Sequence, residues 1–218
     1  MGTFKPGPMG VVKGLIDTIV ASKWKDTFVV KGRPSKSNKP ATLQQADQRI
    51  RFALVTTLLK RIGSTISVGY QDAGKNLTPM NAASRYHLAN AVIGIYPDYL
   101  FDFTKLKLTN GFEESLDIAW LVKLTAEAGA VVKVEWELKS HPGKTSSITD
   151  RLTLLFYNVE EDSFITLEGA AARSELTRAE ELPAPYAGDN LHCWAFFVSA
   201  DGKRVSKSQY LGMVKLLA

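Results

Sequence analysis

The chain has 218 residues, 45% of them hydrophobic and 22% charged, with a net charge of +5. This composition excludes a disordered chain and allows one large domain or two small ones. The single cysteine, Cys193, excludes an internal disulfide and a cysteine-rich zinc site.

The first residues, MGTFKPGPMGVVKG, hold no apolar core and no cleavage site, so no secretory signal is expected. Position 6 is proline, which argues against myristoylation of Gly2. No stretch approaches the ~20 apolar residues of a membrane helix. The expectation is synthesis in the cytoplasm, with signal-independent release, or release as part of a particle, left open.

Residues 10–31 are rich in Val, Ile, Thr, Phe and Trp. They predict a hairpin of two strands, about 15–24 and 27–33, turning at Lys25-Asp26 and ending at Pro34. Thr42 with Gln45 three residues on fits a helix start, and Leu43, Ala46, Ile50, Ala53, Leu54 and Leu58 share one helical face. Gly63 is expected to stop this helix, and a short second helix is read over 64–73. Thr78-Pro79 caps a third, about 79–94, which Gly94 and Pro97 end.

After Pro97 the period changes to two. FDFTKLKLTNG alternates. LDIAWLVKLTAEAGAVVKVEWELK reads as two strands around Glu127-Ala128-Gly129. DRLTLLFYNV, SFITLE and a polar strand near 170–179 follow. LHCWAFFVSADGKRVSKSQYLGMV reads as a hairpin turning at Ala200-Asp201-Gly202-Lys203. About seven strands at short spacing indicate a β-sandwich, with Trp120, Trp136 and Trp194 as core aromatics. The fold class is therefore α+β in two parts. Residues 1–100 form a basic N-terminal β-hairpin with helices, and residues 101–218 an all-β fibronectin type III/immunoglobulin-like sandwich.

The charge is uneven. Residues 1–108 carry 16 Lys+Arg against 6 Asp+Glu, and residues 109–218 carry 11 against 16. Such asymmetry fits a polyanion partner, or a basic half that meets the acidic half of another copy.

A motif runs through Trp24-Lys25, Arg33-Pro34, Ser37, Lys39-Pro40, Thr42, Gln45, Gln48-Arg49 and Arg51-Phe52. It continues through Asn81-Ala82-Ala83, Ala91-Val92, Gly94, Tyr96-Pro97, Phe197–Lys203 and Tyr210-Leu211-Gly212. On these residues the chain resembles an uncharacterised family of Bacteroidetes proteins of roughly 200 residues, catalogued as a domain of unknown function. The resemblance covers nearly the whole chain and implies the two-part layout. Members of that family often have Lys-Gly after the Trp and Tyr-Val-Arg before the Pro. Lys25-Asp26 and Val30-Lys31 stand here instead, which implies a different hairpin turn. The resemblance brings no catalytic residues.

No catalytic, cofactor or metal site is read from the sequence. GKTSS at 143–147 lacks the glycine a phosphate loop needs at position 138, which is Leu, and reads as a β-turn. His87, His141 and His192 show no zinc-ligand spacing. His192 and Cys193 are expected on opposite faces of one strand, with the Cys193 thiol inert. Glu160-Glu161-Asp162 reads as a solvated turn.

Trp24, Lys31, Arg33, Lys36, Lys39, Arg49 and Arg51 are the candidate contact residues, for assembly or for a polyanion. Pro34 and Pro40 stiffen the segment that carries them, and the hairpin offers strand edges to a neighbour. The expected function is non-enzymatic self-assembly into a multi-copy homo-oligomer, head-to-tail, such as a filament or a phage-like particle component. The alternatives are a nucleic-acid-binding protein using the basic half and an adhesion or carbohydrate-binding module using the sandwich.

Overall fold

A computed structural model describes residues 2–6, 10–24, 26–35, 39–74, 77–110 and 115–217. Among the described residues the chain is mostly β with three α-helices, and it divides into two compact units, Met1–Leu43 and Gln44–Ala218.

The first unit is one antiparallel sheet of four short strands: β1 (Gly2–Phe4), β2 (Gly14–Ile16), β3 (Ile19–Trp24) and β4 (Thr27–Gly32), in the order β1-β4-β3-β2. The strand expected over 15–24 is broken in two. Asp17 takes φ 48°, and Asp17-Thr18 reverses the chain so that Ile16 lies opposite Ile19. A short polar side chain tolerates that left-handed backbone. In the next hairpin Trp24 lies opposite Thr27; Lys25 of the expected turn is outside the described residues. β1 was not foreseen and pairs Phe4 with Phe28.

The second unit opens with α1 (Leu43–Arg61), followed at once by α2 (Gly63–Gly69). Gly63 therefore does not stop a helix but begins one. The buried stripe is Val55, Leu58, Leu59, Ile62 and Ile66, partly rotated from the expected face, of which Leu58 is buried, Ala46, Ile50 and Leu54 are half-buried, and Leu43 and Ala53 are exposed. α3 (Pro79–Asn90) starts as expected, with the Thr78 hydroxyl accepting the Asn81 N–H at 3.2 Å. It ends earlier than expected because Val92 begins a hairpin, β5 (Val92–Ile95) and β6 (Asp98–Phe101). Gly94 is required there: its φ is 98°, and a Cβ would lie 2.4 Å from the Asp98 carbonyl.

The alternating stretch after Phe101 forms no further strand. Its backbone groups are held by side chains instead. His87 Nε2 accepts the Lys107 N–H at 3.0 Å, and the Ser208 hydroxyl accepts the Leu108 N–H at 3.0 Å. Leu106 and Leu108 still bury.

Seven strands then make a two-sheet β-sandwich. β7 (Trp120–Glu127), β8 (Val131–Glu137) and β11 (Thr177–Glu181) form one sheet, ordered β11-β8-β7. β9 (Arg151–Asn158), β10 (Ser163–Ala172), β12 (Asn190–Val198) and β13 (Gln209–Lys215) form the other, ordered β10-β9-β12-β13. The polar strand expected near 170–179 is split: its start belongs to β10 and its end to β11.

Both faces of β9 and β12 are buried. Leu152, Leu154 and Phe156 of β9, with Leu191, Cys193, Ala195 and Phe197 of β12, face Val132, Val134 and Trp136 of β8 across the sandwich. The alternate residues Leu155, Tyr157, Trp194 and Phe196 join a second core with Val55, Leu59, Ile66, Ala83 and Phe101. The unit has three layers: sheet, sheet, and helices with their hairpin. The boundary expected near residue 100 is thus displaced to residue 43. The helices cover the outer face of the sandwich and cannot be cut from it without baring four large side chains. Each contributes on the order of 2 kcal/mol by its burial, so together they match a domain's net stability. Trp136 is a sandwich-core aromatic as expected, Trp194 belongs to the second core, and Trp120 is exposed.

Polar contacts pin the helical layer. Arg61, at the end of α1, pairs with Asp162 at 2.8 Å and lies over the Phe164 ring. Within the sandwich, Glu160 of the same turn accepts the N–H of Asn190 at the start of β12 at 2.9 Å. The 160–162 turn is therefore a docking point rather than only a solvated one. His87 is fully buried; its Nδ1–H donates to Ala83 O at 2.7 Å, and its Nε2 accepts from Lys107. These bonds fix the neutral ring in one tautomer.

Two expectations follow. Gly69 packs against Leu108, whose carbonyl oxygen would lie 2.0 Å from an added Cβ. Gly69→Ala should lower unfolding stability in urea by about 2 kcal/mol or more. For His87, burial lowers the pKa from 6.5 to about 4. As pH falls, the unfolded chain takes up the proton first, so this contribution is full above pH 6.5 and is lost between 6.5 and 4. The loss is about 3 kcal/mol. His87→Gln does not titrate, and its stability profile over that range should be flatter than that of the unaltered chain by this amount.

Candidate assembly surface

The N-terminal unit carries 8 Lys+Arg and 2 Asp+Glu, against 19 and 20 in the second unit. The +10 and −5 split at residue 108 is therefore better drawn at residue 43: +6 on a small sheet and −1 on a large three-layer body.

Among the described residues that sheet has no second layer within its own unit. Ala21 is the one buried residue of Met1–Leu43 among those described; Phe4, Val20, Phe28, Val29 and Val30 are half-buried. Strand register sorts the side chains onto two faces. Phe4, Phe28, Lys23, Ala21, Val30, Ile16 and Ile19 share one. On it the Phe4 and Phe28 rings are 5.7 Å apart, and Lys23 Nζ lies 5.4 Å from the Phe28 centroid. The other face carries Leu15, Val20, Lys31, Val29, Ser22 and Trp24. Leu15 is 55% and Trp24 52% exposed. β1 and β2 are the edge strands, each three residues long.

The expected contact residues divide between the two units. Trp24 and Lys31 share a face of the sheet, at opposite ends of it. Arg33 follows β4, its N–H donating to Thr18 O at 2.7 Å, and its side chain is exposed. Lys39 is exposed in the segment before α1; Lys36 lies outside the described residues. Arg49 and Arg51 stand on α1, in the second unit. Arg49 is exposed, whereas Arg51 is turned inward: its Nη2 donates to Leu88 O at 3.2 Å, and its guanidinium lies 5.7 Å from the Tyr99 centroid. The Tyr99 hydroxyl donates to Asp47, one turn before Arg51. Arg51 therefore fastens α1 to α3 and β6. Sequence reasoning missed the exposed aliphatic residues of the sheet, although Leu15, Ile16 and Ile19 were visible as an apolar run around Asp17.

The motifs read as non-catalytic have structural partners. Gly143 N–H donates to Asp117 Oδ2 at 2.6 Å, Lys139 pairs with Asp117 Oδ1 at 2.8 Å, and Ser146 Oγ accepts the Asp117 N–H at 2.7 Å. The GKTSS loop thus wraps an internal carboxylate. His192 and Cys193 do lie on opposite faces: the imidazole stacks on Phe103 and Tyr157, while the thiol is in the sandwich core, pushed up to about 12 by burial. Trp120 is exposed on the sandwich, with Lys139 Nζ 5.7 Å from its ring centroid. Among the described residues no helix is long and apolar enough to cross a membrane.

A family model described as "Family of unknown function (DUF6266)" matches residues 11–212, across both units. The chain belongs to the DUF6266 family. No curated protein matches it in sequence. Among solved structures, the fn3 domain of human collagen alpha-1(XX) chain aligns at 11% identity and a TM-score of 0.34, over 50% of this chain and 92% of that one. The fn3 domain of human contactin 1 aligns at 11% identity and 0.30, over 47% and 79%. A myokine structure aligns at 12% identity and 0.34, over 48% and 100%.

The two arginines of α1 should separate cleanly. Arg51→Ala should cost about 1–2 kcal/mol in urea unfolding, through the lost hydrogen bond and ring contact. Arg49→Ala should stay within about 0.5 kcal/mol.

Proposed function

We propose that this DUF6266 protein is a non-enzymatic self-assembly protein whose N-terminal sheet docks onto other copies of the chain. The observation that carries the reading is the near-absence of a core in Met1–Leu43, where Ala21 alone is buried among the described residues. Units near ~40 residues usually need disulfides, metals or association to hold their fold, and the one cysteine, Cys193, lies in β12. Exposed Leu15, Ile16, Ile19 and Trp24 supply apolar contact, and edge strands β1 and β2 supply unpaired backbone. The excess of +6 discourages sheet-to-sheet stacking of like units and favours a head-to-tail contact with the near-neutral body of another copy. Such a contact closes into a ring or propagates as a filament according to its rotation. A phage-like particle component is one form of such an object.

A second reading rests on Lys23 over Phe28 beside Phe4, where cation and aromatics interleave as on a single-strand nucleic-acid platform. Under that reading, binding to a labelled oligonucleotide weakens steeply with salt.

Light scattering and electron microscopy of the purified chain test the first reading. Particles larger than a monomer should form as concentration rises. Leu15→Glu with Trp24→Glu should abolish them and leave the main thermal transition in place. A chain that remains monomeric at every accessible concentration would overturn it.

A further inference from the structure

The second unit contains a cavity of about 190 Å³ where α2 meets one end of the four-stranded sheet. Thr65 and Val68 of α2, Arg151 and Thr153 of β9, and Phe196 and Val198 of β12 line it, and Glu168 and Gly169 of β10 form part of its wall. Three observations set it apart from a packing gap. The first is its unused polar groups. Thr65 is 2% exposed, and its hydroxyl has no hydrogen-bond partner. That is a costly state for a buried donor, which native structures usually correct with a partner. Arg151 and Glu168, one cation and one anion, have no ion-pair or side-chain hydrogen-bond partner among the described residues.

The second is how β10 opens. Its register against β9 slips between Leu167 and Ala171, so Glu168 and Gly169 leave the ladder, with Gly169 at φ 64°. Bulges of this kind re-aim side chains and are enriched beside binding sites. The third is a fixed rim: Gln71 Nε2 donates to Gly202 O at 3.2 Å and to Lys203 O at 2.8 Å, tying the end of α2 to the turn that closes the cavity. The site is preformed, which lowers the cost of binding.

An apolar floor, one cation, one anion and free hydroxyls describe the complement of a small zwitterion. A cavity of about 150 Å³ accepts a benzene-sized group, so this one accommodates an aliphatic side chain with its polar head at the mouth. We propose that the cavity binds a free aliphatic amino acid, leucine being the probe of matching size. Its carboxylate meets Arg151, its ammonium meets Glu168, and its side chain rests on Val68, Phe196 and Val198. The Thr65 and Thr153 hydroxyls serve the polar head. All the binding residues lie in the second unit, so the site is independent of the assembly reading.

Ligand-observed saturation-transfer NMR and calorimetry on the full chain test this whatever its oligomeric state. Leucine should bind saturably with a dissociation constant of about 1 mM or tighter, and N-acetyl-leucine and leucinamide about tenfold more weakly. Arg151→Gln should weaken leucine and N-acetyl-leucine but leave leucinamide unchanged; Glu168→Gln should weaken leucine and leucinamide but leave N-acetyl-leucine unchanged. Both side chains are exposed, so the variants keep the fold. Val68→Trp should fill the cavity and abolish binding. No saturable binding up to about 10 mM, or binding indifferent to the Arg151 and Glu168 changes, would overturn the proposal.

Discussion

The structure depends on one constraint: the two central strands of the larger sheet, β9 and β12, are apolar on both faces. A half-buried antiparallel strand alternates apolar with polar residues. LTLLFY and CWAFF do not alternate. A sheet with such strands at its centre must be covered twice. The smaller sheet covers one side, and α1, α2, α3 and the β5–β6 hairpin cover the other. The remaining polar detail trims this arrangement. Arg61, Arg51 and His87 each hold a helix where the apolar surface already requires one.

This constraint also explains what could be read in the sequence. The sandwich strands, the Thr78 cap and the opposition of His192 to Cys193 were legible because they depend on local spacing. The second layer was legible in principle, since the continuous apolar runs of β9 and β12 signal burial on both sides. Treated as ordinary sandwich strands, they put the boundary near residue 100. The rotated face of α1 was hidden because Leu43, Ala46 and Ile50 match the helical period as well as Val55, Leu59 and Ile62 do. Tertiary contact with Trp194 and Phe196 decides between them. Around the candidate surface, Trp24, Lys31 and Arg33 could be picked out by type. The inward turn of Arg51 could not, because it depends on Leu88 and Tyr99, which are distant in sequence.

The redrawn boundary changes the meaning of the charge. Split at the midpoint, the chain looks like two opposite halves. Divided at residue 43, it is a strongly basic, thinly packed sheet joined to a nearly neutral body. Few of the sheet's apolar residues are buried among those described, and exposed ones lie on both faces. In the body, by contrast, the side chains that stay exposed are largely those the two cores do not need.

The bonding of His87 carries a further consequence. Both ring nitrogens are used by backbone groups, and the ring is neutral, so this link between α3 and the segment leading to the sandwich has no ionic character. The apolar packing of Trp194 and Phe196 against the helices has none either. Dissolved ions therefore have little purchase on these two links, although they screen the exposed Arg61–Asp162 pair, and the field around the N-terminal sheet fades within a Debye length of about 8 Å at physiological ionic strength. The molecule thus separates what its surroundings can tune from what they cannot. Electrolyte modulates the reach of its basic end, while the body that presents that end keeps its shape.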